Sequence, residues 1–151
     1  MRLLIVEDDS NKYKQVVEFI QASFSNAEIT SKRSYQSGLR EILKSEAYDL
    51  IILDMSLPTY DITPKEQGGP FLTYAGEEIL DEMKRKGNKG RILIVTQYET
   101  FGEGKDSTTL EQLKARLRDK FPQNYCGTIY YNAAETNWKN SLSNVIGSII
   151  K

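Results

Sequence analysis

Three short runs in this chain are almost purely aliphatic: Leu3-Leu4-Ile5-Val6, Leu50-Ile51-Ile52-Leu53 and Ile92-Leu93-Ile94-Val95. Each ends on a polar residue, Glu7, Asp54 or Thr96. A half-solvated strand alternates apolar with polar side chains, whereas a strand apolar on both faces needs cover on both. That is the condition of a parallel sheet lying between two layers of helices. Two weaker strands are expected at 27–33 and 127–131.

The segments between the strands carry helical spacing. Tyr13, Val16, Val17, Ile20 and Phe24 form one stripe, with Asp9 and Ser10 before it as candidate caps. Leu39, Ile42 and Leu43 form a second. Ile79, Leu80 and Met83 form a third, which stops at Gly87. The fourth opens on the capping-box pattern Thr108-Thr109-Leu110-Glu111 and carries Leu110, Leu113, Leu117 and Phe121. The fifth carries Trp138, Leu142, Val145, Ile146 and Ile149. Strand and helix thus alternate five times. This predicts a doubly wound, flavodoxin-like α/β fold of the (βα)5 type, with a parallel five-stranded sheet in the order 2-1-3-4-5. With 39% hydrophobic and 27% charged residues, no internal repeat and no linker, residues 1–151 are expected to form one domain.

Composition removes several function classes. The chain has no histidine, which excludes Ser-His-Asp and Cys-His catalysis and histidine-ligated zinc within it. The single cysteine, Cys126, cannot form an internal disulfide, and the four apolar residues before Glu7 are too few for a signal-peptide core. A reducing, cytoplasmic setting is therefore expected, with no membrane span. The 20 basic and 21 acidic residues nearly cancel, which argues against a nucleic-acid or membrane partner.

In doubly wound sheets, ligands bind beyond the C-terminal strand ends where the winding reverses. Strands one and three would be neighbours there, so Glu7, Asp8 and Asp54 should converge, with Thr96 close by. One acid after a strand is commonly a helix cap, and Asp9 or Ser10 is read as no more than that. Acids after two adjacent strands are another matter. Carboxylates held together raise each other's pKa unless a cation neutralises them, and an oxygen-only ligand set suits Mg²⁺.

The constellation Leu3-Leu4-Ile5-Val6-Glu7-Asp8-Asp9, Asp49-Leu50-Ile51-Ile52-Leu53-Asp54-Met55-Ser56-Leu57-Pro58 and Ile92-Leu93-Ile94-Val95-Thr96 resembles the receiver domain of two-component response regulators over essentially the whole chain. The resemblance implies that Asp54 is the phosphoacceptor, Asp8 a direct Mg²⁺ ligand, Glu7 a ligand through water, and Ser56 a ligand through its backbone carbonyl. It also makes Thr96 the switch hydroxyl. A sensor histidine kinase or phosphotransfer protein would be the donor. No residues follow the fifth helix to form an output domain, so a downstream protein effector is expected to carry the signal. A homodimer through helix four, strand five and helix five is compatible with the pattern. Any enzymatic activity would be limited to self-phosphorylation from a donor and self-dephosphorylation.

Three departures stand out. Receivers carry a lysine at the end of strand five, but this chain has Tyr131 or Asn132 there, leaving Lys65 or Lys105 as substitutes from loops. Gln97 follows Thr96, where a small residue normally leaves access for the donor. The stretch 59–75, before the Gly76 that resembles the family's helix-three glycine, reads as an inserted loop beside the crevice and a candidate lid or partner segment. The stretch 99–106 is also long. These departures favour an alternative, a degenerate receiver acting as a phosphorylation-independent interaction module. Other classes fit less well. A flavodoxin-type nucleotide binder needs a Gly/Ser/Thr-rich phosphate loop where Glu7-Asp8-Asp9 stands. A haloacid-dehalogenase phosphatase places a second acid where Ser56 stands.

Overall fold

The computed structural model describes residues 1–44, 48–65 and 67–150. In chain order the main elements are β1 (Arg2–Val6), α1 (Ser10–Ser23), β2 (Glu28–Lys32), α2 (Tyr35–Lys44), β3 (Leu50–Leu53) and α3 (Ala75–Arg85). They continue with β4 (Ile92–Thr96), α4 (Leu110–Lys120), β5 (Tyr125–Tyr130) and α5 (Asn137–Ile149). The five strands form one all-parallel sheet in the order β2-β1-β3-β4-β5. This is the doubly wound architecture that the aliphatic runs predict.

The reason the runs are apolar throughout is visible in the packing. Leu4 and Val6, Ile51 and Leu53, and Ile92 and Ile94 face one core with Ile42, Ile79, Leu80, Met83, Leu113 and Leu117. Their alternates Leu3 and Ile5, Leu50 and Ile52, and Leu93 and Val95 face the other core with Val16, Ile20, Trp138, Leu142 and Ile146. Every aliphatic side chain of the three runs is therefore removed from water, and each Leu or Ile so buried stabilises the fold by roughly 1.5–3 kcal/mol.

Local boundaries differ from the sequence pattern in three places. β5 begins at Tyr125 because the pairing skips a residue between Ile92–Tyr125 and Leu93–Gly127, a bulge at Cys126 that breaks the two-residue alternation. The cap of α4 is Thr109, not Thr108: its hydroxyl accepts from the Gln112 amide, and the Gln112 side chain accepts in turn from the Thr109 amide. The stretch 59–75 is not a loose loop. Leu57–Pro58 pairs antiparallel with Phe71–Leu72, and the ladder continues outward through Thr59 to Pro70 and Tyr60 to Gly68. Its tip leans on the start of α2, where the Gln36 amide donates to the Thr59 carbonyl and the Ser37 hydroxyl to Asp61. A second ribbon, Thr100–Phe101 with Thr108–Thr109, orders the long segment after β4 and plants Phe101 in the core. Among the described residues no helix is long and apolar enough to cross a membrane.

Candidate functional site

Glu7, Asp8 and Asp54 meet at the C-terminal edge of β1 and β3, each offering a carboxylate oxygen within 4.8 Å of the others. Parallel pairing brings them there: Val6 is opposite Leu53, and the Asp54 amide donates to the Val6 carbonyl at 3.0 Å. Glu7 and Asp54 are buried, while Asp8 is half-buried and borders solvent. Ser56, buried two residues beyond Asp54, donates its amide to Asp54 Oδ1 at 3.4 Å and its hydroxyl to the Thr73 carbonyl at 2.7 Å. Gly76 lets α3 approach this loop: a Cβ there would stand 3.1 Å from the Asp54 carbonyl oxygen. The β1–α1 loop is held by Arg33, which donates to the Asp8 carbonyl at 2.8 Å and the Ser10 hydroxyl at 3.0 Å. Asp9 is the cap of α1, accepting from the Lys12 amide at 3.0 Å.

The cation facing Asp54 is neither Lys65 nor Lys105, both of which are exposed. It is Lys12, from the first turn of α1. Its ammonium, on a residue only 1% exposed, lies 2.5 Å from Glu7 Oε1, 2.6 Å from the Val95 carbonyl and 3.3 Å from Asp54 Oδ2. No lysine stands just after β5, where Tyr131 and Asn132 lie. Tyr131 is buried against Trp138, with ring centroids 5.1 Å apart, and its hydroxyl donates to Gln15 at 2.7 Å.

Thr96 is fully buried at the end of β4, and its hydroxyl accepts from the Tyr98 amide at 3.2 Å. Gln97 is half-buried and does not seal the site. With Asp9, Asn11, Lys12 and Asn132 it borders an open groove of about 380 Å³ that leads to Lys12. A roomier cleft of about 600 Å³, near Tyr48, Asp49 and Arg91, lies at the opposite end of the sheet from the carboxylates.

The electrostatics follow from this burial. Desolvation, reinforced by the Asp54 charge, pushes the Glu7 carboxyl up to about 8 even though Lys12 pulls it down. The same two causes, desolvation first, raise Asp8. Burial alone would lower Lys12, but Asp54 and Glu7 outweigh it and hold the ammonium above its ordinary range. With the Glu7 carboxyl pushed up, Asp8 and Asp54 against one ammonium still leave residual negative charge at a half-open, oxygen-only site. Those donors fit a hard divalent cation such as Mg²⁺.

No protein-family model matches the chain. Among curated proteins, the "uncharacterized protein y4jR" of Sinorhizobium fredii is 33% identical over 147 residues, covering 95% of each chain. The Detocs response regulatory protein DtcB of Enterobacter cloacae is 27% identical over 143 residues, covering 94% of this chain and 95% of the relative. Among solved structures, a response regulator receiver domain protein from Clostridium thermocellum superposes with a TM-score of 0.62 at 19% identity, covering 99% of this chain and 93% of its own. CheY6 in complex with the P1 domain of CheA3, from R. sphaeroides, gives 0.62 at 16%, covering 99% and 95%. The response regulator TrrA of Thermotoga maritima, in complex with Mg²⁺-BeF, gives 0.55 at 18%, covering 95% and 97%.

Proposed function

From the premise that this chain belongs to the receiver family of response regulators, we propose that it is a phosphoryl-accepting signalling domain with Asp54 as the acceptor. The observation that carries the reading is the meeting of Glu7, Asp8 and Asp54 within 4.8 Å at the C-terminal edge of the sheet. Asp8, Asp54 and the Ser56 backbone carbonyl would hold Mg²⁺ directly, and Glu7 through water. The bound cation would supply the positive charge that lets a carboxylate and a phosphoryl group approach each other.

The rest falls to the chain's own residues. Asp54 is held in place by the hydrogen bond its backbone amide donates to the Val6 carbonyl and by the Ser56 amide, which donates to Oδ1. Asp8 faces solvent, so the acid that meets the cation first is also the most accessible. The Thr96 hydroxyl, held on the Tyr98 amide, is the group that would turn toward a phosphorylated Asp54 and draw the segment after β4 with it. A sensor histidine kinase or phosphotransfer protein is the proposed donor and a separate protein the proposed effector. The complex of CheY6 with the P1 domain of CheA3 supports the first of these. Mg²⁺ as cofactor is supported by the Mg²⁺-BeF complex of TrrA and by the donor set here. The degenerate-receiver alternative drew on the missing strand-five lysine, Gln97 and the inserted stretch; of these, the first is weakened by Lys12, which stands 3.3 Å from Asp54.

Intact-mass measurement after incubation with Mg²⁺ and acetyl phosphate tests the reading. One phosphoryl group should add to the parent and none to Asp54→Ala. An unmodified parent that still binds Mg²⁺ would return the assignment to the interaction module.

A further inference from the structure

We propose that Lys12 is the cation that binds the incoming phosphoryl group, so that the task of the missing strand-five lysine has moved to the first turn of α1. This rests on Asp54 being the phosphoacceptor.

Three observations carry it. The first is geometry: Lys12 Nζ has three protons and three oxygen neighbours, two close, at 2.5 Å on Glu7 and 2.6 Å on the Val95 carbonyl, and one longer, at 3.3 Å on Asp54 Oδ2. The two short contacts fix the ammonium, and the long one leaves an N–H on the side of the reacting carboxylate, free to donate a hydrogen bond to a phosphoryl oxygen. The second is division of labour. Lys12 has no ion pair to Asp8, so the acid at the solvent edge is left for the metal while the ammonium works from the Glu7 and Val95 side. The third is access: the open groove reaches Lys12 and is bordered by Tyr131 and Asn132, the residues just after β5, neither of which carries a positive charge.

A buried lysine is costly unless paired, and α1 is built to carry this one. Lys12 stands four residues before Val16 and eight before Ile20, on the buried stripe of the helix. Its backbone is fixed by the Asp9 cap. In the transfer, an Asp54 carboxylate oxygen forms a bond to phosphorus as the bond from phosphorus to the acetate oxygen of acetyl phosphate breaks. The electron pair leaves with acetate. Lys12 keeps its protons throughout and donates one to a phosphoryl oxygen as a hydrogen bond, meeting charge that the fixed ammonium is already placed to receive.

A purely structural Lys12 would only offset repulsion between Glu7 and Asp54, and the two roles separate experimentally. The rate of phosphoryl addition from acetyl phosphate with Mg²⁺ is followed by intact mass for the parent, Lys12→Met, Lys12→Arg and Asp54→Ala, alongside the melting temperature of each with and without Mg²⁺. The expected result is a Lys12→Met protein that melts cooperatively and still responds to Mg²⁺, yet is phosphorylated roughly 10²- to 10³-fold more slowly, with Lys12→Arg faster than Lys12→Met. A folded, Mg²⁺-responsive Lys12→Met with the parent rate overturns the role of Lys12 and leaves Asp54 as acceptor untouched. A parent that is never phosphorylated overturns both. Should Lys12→Met fail to fold, the ¹⁵Nζ resonance of Lys12 in the parent decides: it should shift on phosphorylation and stay fixed in Asp54→Ala treated the same way, and an unmoved resonance in phosphorylated parent overturns the proposal.

Discussion

Glu7→Gln in the metal-free protein is the most quantitative perturbation of the site. The Glu7 carboxyl is pushed from 4.5 to about 8, chiefly by desolvation. Because the folded value lies above the unfolded one, the proton is held more tightly by the native state, and stability falls as pH rises between the two. Below pH 4.5 the carboxyl is protonated in both states and burial costs little; above pH 8 the native state carries the full penalty. A gap from 4.5 to about 8, at about 1.4 kcal/mol per pH unit, amounts to about 5 kcal/mol, most of which develops between pH 5 and 8. A domain stable by roughly 5–15 kcal/mol registers such a loss clearly. The assay is urea unfolding in EDTA at pH 5, 6, 7 and 8, comparing parent with Glu7→Gln. The parent should lose roughly 3 to 4 kcal/mol more than the variant over this range, while the raised Asp8, present in both proteins, cancels from the comparison. Millimolar Mg²⁺ should flatten the parent's slope, since a cation favours the charged carboxylates. Parallel pH profiles for parent and variant in EDTA would refute the electrostatic reasoning.

Other outcomes follow from single contacts. Mg²⁺ should raise the melting temperature of the parent by mass action and fail to do so in Asp8→Ala, as differential scanning fluorimetry would report. Gly76→Val should destabilise by roughly 1–3 kcal/mol in urea unfolding and weaken Mg²⁺ binding, because its Cβ would stand 3.1 Å from the Asp54 carbonyl and 3.2 Å from Met55 Cα. Thr109→Ala should cost about 1 kcal/mol by the same assay, since it removes one half of the reciprocal cap of α4.

The fold was legible because it rests on long-range parity that the sequence writes out locally. Each aliphatic run serves two cores at once, so its uniform hydrophobicity betrays a covered parallel strand, and the polar residue ending each run marks the crevice. The convergence of Glu7, Asp8 and Asp54 followed from strand order alone. Lys12 is not legible from the family pattern, which puts the cation at the end of β5, whereas the ammonium beside Asp54 comes from the first turn of α1. The signal existed: a lysine in line with Val16 and Ile20 on an apolar stripe must find an anionic partner. The 57–72 ribbon is illegible in the sequence because its strands are two residues long, too short for any alternation to show. The α4 cap shifted by one because adjacent threonines both satisfy the capping pattern, and only Thr109 keeps Gln112 at the reciprocal position. Thr108 is instead buried, accepting from the Tyr74 hydroxyl at 3.1 Å.

The central claim is that Asp54 is the residue that takes the phosphoryl group. It is tested most directly by treating the protein with acetyl phosphate and Mg²⁺, trapping acyl phosphates by borohydride reduction, and locating the reduced residue by peptide mass spectrometry. The account predicts homoserine at position 54 and at no other acidic residue. Reduction at Glu7 or Asp8, or an unreduced Asp54 in a protein that has gained a phosphoryl group, would contradict it.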